Sequence, residues 1–251
     1  MSYSDLHTHT IFSDGKNTAE EMVLAAIARG METIGISDHS PTFFDKSYCM
    51  KKEKLADYKE TIFALKEKYK DKIKVLCGIE QDFYSAETPE GFDYVIGSVH
   101  YIRFADDYIP VDEGADVLIR ATEKYTGGDR IALVEMYFET VSRVAEKWKP
   151  DILGHFDLIR KYNSGNAIYD EDDPRVIKAA QKALDTLLPY HLPFEINTGG
   201  IFRGCREDAY PAARYIDYIK AHCGKLILSS DAHRTDALCF QFPRYENVVN
   251  L

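Results

Sequence analysis

The sequence predicts an α/β fold in which a mostly parallel sheet closes into a barrel of seven β/α units. Two observations carry that expectation. Seven short runs of apolar and β-branched residues alternate with helical patterns along the 251-residue chain, and such alternation builds a parallel sheet flanked by helices. Seven strands in a chain of this length suit one barrel better than an open sheet, because barrels commonly reach roughly 250 residues as a unit. With no internal repeat, low-complexity tract or Pro/Gly/Ser linker, residues 1–251 read as one domain.

The strands are expected at residues 3–7, 33–37, 74–80, 94–98, 152–155, 194–197 and 226–229. After the first, residues 18–29 open with a Thr18/Glu21 capping box, carry Met22, Val23, Ala26 and Ile27 on one face, and stop at Gly30. The second helix places Leu55, Tyr58, Ile62, Leu65 and Tyr69 on one stripe with a mostly charged opposite face. Residues 101–128 are the least regular stretch and long enough to form a flap over a site. A helical stretch over 130–148 precedes the fifth strand. Asp173-Pro174 supplies a cap and a first-turn proline to a helix with Val176, Ala180, Leu184 and Leu187 inward, and the last helix, 211–223, ends at Gly224.

Composition narrows the function. Lys+Arg 31 against Asp+Glu 41 gives a net charge of -10, which offers no basic field to a polyphosphate backbone, so the expected partner is a small molecule rather than a nucleic acid. Five cysteines, odd in number and without C-x-x-C, fit neither a disulfide framework nor a thiolate zinc site. No apolar run approaches the ~20 residues of a membrane span and the N-terminus lacks a basic-then-apolar leader pattern, so the reading is cytoplasmic, with no membrane partner.

Six of the eight histidines lie at or just after expected strands: His7, His9, His39, His100, His155 and His233. In a parallel barrel the C-terminal strand ends converge on one rim, so these imidazoles share a small volume and suggest a metal site. His7-Thr8-His9 is an H-x-H whose side chains point to one face of a strand. Glu80 and Asp231 end apolar runs, where a buried carboxylate calls for a cation or an ion pair with a helix. Asp14 fits either a ligand or a turn before Gly15. His222, in a last helical turn, and His191, in a loop, fall outside the pattern.

These pieces resemble the PHP (polymerase and histidinol phosphatase) family of metal-dependent phosphoesterases. His7-Thr8-His9, Ser37-Asp38-His39, Gly78-Ile79-Glu80, Gly97-Ser98-Val99-His100, Gly154-His155 and Ser230-Asp231-Ala232-His233 follow the family's order over nearly the whole chain. The resemblance implies the PHP fold, a distorted (β/α)7 TIM-like barrel. It also implies three metals: one on His7, His9, Glu80 and Asp231, one on Glu80, His100 and His155, and one on Asp14, His39 and His233, with Glu80 bridging. Many relatives carry His at the position of Asp14. Residues 155–161 and 195–200 are most similar to the histidinol-phosphate phosphatases, which implies hydrolysis of L-histidinol phosphate to L-histidinol and inorganic phosphate in histidine biosynthesis.

Two to three clustered dications suit that chemistry, since they absorb charge on a phosphoryl group and lower the pKa of water. A ligand set of N and O atoms without Cys fits zinc, manganese or iron. Glu80, Asp231 and His233 are the catalytic candidates, with Asp231, His233 or a coordinated water as the acid. Arg160 and Arg203, a few residues beyond strand ends, are candidates for gripping phosphate, or else solvated loop residues. Glu195 and Asn197 are candidates for holding the amine and imidazole of the substrate, or else ordinary barrel-interior hydrogen bonding. The competing functions are a phosphoesterase for a nucleotide or another small ester, and a non-catalytic metal-stabilised binding module. A C–N hydrolase would call for a lysine at a strand end, and none stands out.

Overall fold

The computed structural model describes residues 2–249. The elements run β1 (Ser4–Asp5), α1 (Ala19–Ala28), β2 (Thr33–Ile36), α2 (Leu55–Tyr69), β3 (Lys74–Asp82), β4 (Tyr94–Ser98), β5 (Tyr101–Phe104), β6 (Asp107–Pro110), α3 (Ala115–Tyr125), α4 (Arg130–Ser142), α5 (Val144–Trp148), β7 (Ile152–Leu153), α6 (Pro174–Leu187), β8 (Pro193–Asn197), α7 (Gly199–Phe202), α8 (Ala213–Ala221), β9 (Lys225–Ser229) and α9 (Phe242–Val249). Seven strands pair in parallel in the order β1-β2-β3-β4-β7-β8-β9. The two ends of that sheet meet at the C-terminal rim. Thr8 bridges Ala232 in parallel, with the His9 N–H donating to the Ala232 carbonyl at 2.8 Å and the Ala232 N–H to the His7 carbonyl at 3.1 Å. The seam therefore sets His7-Thr8-His9 beside Asp231-Ala232-His233, from opposite ends of the chain.

Period-2 alternation explains what faces the barrel axis. On β3, Val75, Cys77 and Ile79 pack outward with Met22, Tyr58 and Ile62 of the helices, whereas Leu76 lies inside with Tyr94, Ile96 and Ile152. Gly78 shares the parity of Leu76 and leaves room for the Tyr94 ring: a Cβ there would stand 2.2 Å from Tyr94 Cζ, and one on Gly35 2.1 Å from Tyr94 Oη. Glu80 comes next in the same row and points inward at the rim.

The helices form where their signals lie. Thr18 caps α1 with both halves of the capping box present, Asp173 accepts from the Arg175 N–H at 2.7 Å ahead of Pro174, and Tyr58, Ile62, Leu65 and Tyr69 of α2 are buried. The stretch over 130–148 breaks at Arg143 into α4 and α5. Residues 101–128 are more regular than the sequence indicates: they fold into an antiparallel hairpin, with Tyr101 paired to Pro110 and Phe104 to Asp107, followed by α3. Its turn uses Ala105 at φ 52 instead of the glycine or asparagine that marks such turns. No helix among the described residues is long and apolar enough to cross a membrane.

Closure depends on Asp5, which is fully buried. Its carboxylate accepts from the Ser230 N–H (3.1 Å), the Ser230 hydroxyl and the Cys239 N–H (3.1 Å), tying the first strand to the loop after the last. Asp5→Ala strands those donors in the interior. It is expected to lower unfolding free energy by about 2–4 kcal/mol in urea denaturation, the range for unpairing buried polar partners.

Candidate metal centre

The rim places His7 and His9 after β1, His39 after β2, Glu80 within β3, His100 after β4, His155 after β7, and Asp231 and His233 after β9. All are buried except His233, which is half-buried. Glu80 is the hub. Its Oε2 lies 2.6 Å from His39 Nδ1, 3.3 Å from His7 Nε2 and 3.7 Å from His9 Nε2, and its Oε1 lies 2.8 Å from His155 Nε2 and 3.4 Å from His100 Nε2. Asp231 Oδ1 faces His9 Nε2 at 3.2 Å and His7 Nε2 at 3.8 Å. Asp14 Oδ1 faces His233 Nε2 at 3.2 Å and His39 Nε2 at 3.6 Å.

These residues fit metal ions. His7 Nε2, both ring nitrogens of His9 and His155 Nδ1 are buried without a hydrogen-bond partner, which is costly in an interior unless a cation accepts their lone pairs. Among the described residues, three groups have ligand atoms within 4.8 Å of one another: His7, His9 and Glu80; His39, Glu80 and His100; and His9, Asp14, His39 and His233. Relative to the sets implied by resemblance, His9 and His39 each join two groups. His155 and Asp231 stand at the edges, in contact with Glu80 and His9 respectively.

Charge supports the same reading. Burial opposes ionisation of Glu80, yet the facing His7, His100 and His39 hold its pKa well below the ordinary carboxylate range. Burial likewise opposes charge on Asp231, and Arg203 and His7 outweigh it. His9 is driven the other way, well below the ordinary histidine value, by burial and by His233 and His39. His9 is thus kept neutral, the state in which an imidazole offers a lone pair to a cation.

Further carboxylates hold the rings in place. Glu195 Oε1 lies 2.7 Å from His7 Nδ1 while its Oε2 accepts from the His155 N–H at 3.0 Å and from Asn197 Nδ2 at 3.2 Å. A carboxylate there keeps the proton on Nδ1 and leaves Nε2 free for the centre. Asp82 does the same for His100, with Oδ2 3.2 Å from Nδ1. Glu195→Gln is expected to weaken metal binding roughly 10- to 100-fold, the usual effect of losing such a partner. Metal titration read against an unchanged circular dichroism spectrum checks it.

A cavity of about 360 Å³ opens over the centre. His39, His100, His155, Asp231 and His233 border it below, and Lys16, Tyr48, Tyr101, Asp112, Lys161 and Arg203 line its sides. Arg203 donates through Nη2 to Asp231 Oδ2 at 2.6 Å and through Nη1 to the Asp231 carbonyl at 3.2 Å. Gly199 makes this approach possible: a Cβ there would stand 2.6 Å from Arg203 Nη2 and 2.9 Å from Asp231 Oδ2.

Three candidates sit elsewhere. Arg160 is buried against Asp208 Oδ2 (2.8 Å), Glu171 Oε2 (2.9 Å) and Asp157 Oδ2 (3.2 Å) and does not line the cavity. Its guanidinium is consumed by internal carboxylates, and the neighbouring Lys161 faces the cavity in its place. Glu195 and Asn197 lie beneath the metal centre in hydrogen bonds with protein groups, not on the cavity wall. Asp82, Lys161 and Asp112 are site residues that sequence reasoning did not single out.

The chain is similar to known proteins over most of its length. The PHP domain family matches residues 5–199. A Deinococcus radiodurans protein named a probable histidinol-phosphatase is 29% identical over 249 residues, spanning 95% of this chain and 89% of its own length. Two solved structures share the fold. One is a Listeria monocytogenes protein assigned as a histidinol phosphatase (TM-score 0.82, 21% identity, 96% of this chain and 99% of that one). The other is the histidinol phosphate phosphatase of Lactococcus lactis complexed with zinc, L-histidinol and phosphate (TM-score 0.71, 22% identity, 99% and 92%). With its barrel, its ligand-bearing strand ends and a family match across most of its length, the chain belongs to the PHP domain family.

Proposed function

We propose that this protein is a metal-dependent phosphatase that hydrolyses L-histidinol phosphate to L-histidinol and inorganic phosphate. The observation that carries the reading is the convergence of His7, His9, His39, His100 and His155 on the single carboxylate of Glu80, beneath a cavity with cationic side chains on its wall. Divalent zinc, manganese or iron would be held by His7, His9, Glu80 and Asp231, by Glu80, His100 and His155, and by Asp14, His39 and His233. When bound, such ions supply Lewis acidity toward phosphoryl oxygens and activate water near neutral pH.

The chain's own residues do the rest. Lys161, Lys16 and the free N–H groups of Arg203 surround the space above the centre, where they attract and orient a phosphate group. Asp231 and His233 border both cavity and centre, which places either to relay to the departing alcohol oxygen a proton that it first accepts from water. Asp112, which pairs with Lys161 at 3.0 Å, and Glu113 line the same cavity and offer acceptors to an ammonium or imidazole N–H.

The test is an assay of metal-loaded protein against L-histidinol phosphate and a panel of nucleoside monophosphates. The expected result is kcat/KM higher on histidinol phosphate by orders of magnitude. A preference of that size for a nucleotide, or stoichiometric metal with no phosphatase activity on any ester, overturns the reading.

A further inference from the structure

A second concavity, of about 430 Å³, opens where the residues after β3, the β5–β6 hairpin and the α4–α5 junction meet. Phe83, Tyr84, Arg103, Ala105, Arg143 and Lys147 line it. It shares no lining residue with the cavity over the metal centre. Three of its six residues are cations and none is an acid, on a chain whose net charge is -10.

The three cations arrive from different elements. Lys147 Nζ donates to the Phe83 carbonyl at 2.5 Å and sits 4.5 Å from the centre of that ring. The Arg143 guanidinium lies 5.6 Å from the same ring, and its side chain makes no ion pair among the described residues. Arg103 reaches in from the hairpin, its Nε donating to the Ala105 carbonyl at 2.6 Å. Its one acidic neighbour, Asp106, is 3.6 Å away, fully exposed and outside the lining. Placement at helix ends accounts for Arg143 and Lys147 taken singly; Arg103 comes instead from the hairpin, where its guanidinium lies 5.4 Å from the Tyr108 ring, and lines the same space. Burial lowers the Lys147 pKa, Asp82 works against that, and Arg143 lowers it further, as expected where cations crowd.

Like charges gathered in one hollow repel, and an oxyanion between them relieves the repulsion while accepting charge-assisted hydrogen bonds. Beside them, the half-buried Tyr84 supplies aromatic surface, Phe83 being buried against Lys147 and Arg143. The volume suits a small molecule. We propose that this concavity is a second ligand site, binding a carboxylate or phosphoryl group carried on a small planar body.

Titration calorimetry of the metal-loaded protein with phenylphosphonate, benzoate and inorganic phosphate tests this. Phenylphosphonate is expected to fill two sites, of which one survives Glu80→Gln. In the double variant Arg103→Glu/Arg143→Glu that surviving site should lose roughly tenfold or more in affinity, while phosphatase activity stays within about twofold of the parent. Both aromatic probes should bind there more tightly than inorganic phosphate, and whichever of the two binds better identifies the natural oxyanion. A single site abolished by Glu80→Gln overturns the proposal, and so does a second site indifferent to the charge reversals or to the aromatic ring.

Discussion

Glu80→Gln is expected to lower kcat/KM on histidinol phosphate by roughly 10³-fold or more and to reduce bound metal by at least one equivalent. The substitution preserves volume and removes one negative charge at the point where five imidazoles meet, with contacts from 2.6 to 3.7 Å. An amide also turns an N–H₂ toward a position where a cation needs a lone pair. Losing a single preorganised electrostatic group in a water-poor site commonly costs 10²–10³, and a residue shared between ion sites reaches the upper end of that range. Elemental analysis alongside steady-state kinetics checks both quantities. Activity within tenfold of the parent at full metal content would remove Glu80 from the centre.

Much of this site was legible because strand periodicity and motif placement act together. Apolar runs at 74–80 and 226–229 locate strand ends, and a barrel has only one rim on which those ends can meet. Thus Glu80 and Asp231, 151 residues apart in sequence, belong together before any coordinate is known. What period-2 reasoning lacked was length. Pairing of β3 with β4 continues through Asp82 opposite Ser98, two residues past the expected end, so the carboxylate that holds His100 went unnoticed although it shares the parity of Glu80.

Side-chain direction in irregular segments was not legible. After His155 the chain makes a 3-10 turn over Leu158–Arg160 that buries all three residues, and no hydrophobic period says which of two adjacent cations, Arg160 or Lys161, faces the cavity. The decision is made by Glu171 and Asp208, which surround Arg160 from distant loops. The hairpin from Tyr101 to Pro110 escaped for a related reason: the left-handed position in its turn is an alanine, so its strands carry no punctuation.

Removing the metals is expected to lower Tm by on the order of 10 °C, and the loss should grow as pH rises from 6 to 8.5. Ligands from six strand ends are drawn together here, so ions that bind only the folded chain stabilise it by mass action. Free metal at about 1,000 times Kd adds about 4 kcal/mol, and a chain of this size shifts about 2–4 °C per kcal/mol. The pH dependence follows from what replaces the ions. Burial disfavours charge on His7 and His100, but Glu195, Glu80 and Asp231 around the first and Glu80 and Asp82 around the second outweigh it, holding both pKa values well above the ordinary histidine value. A histidine pKa raised by folding stabilises the metal-free chain fully below the unfolded pKa, and that contribution disappears as pH climbs through the folded one. Protons thus substitute in part for cations at pH 6 and do so less as pH rises, while metal binding itself strengthens as its ligands deprotonate. Differential scanning calorimetry with and without a chelator, at both pH values, reads the two differences. A chelator effect that is equal at the two pH values, or larger at pH 6, would mean that the imidazoles around Glu80 are not exchanging protons for metal.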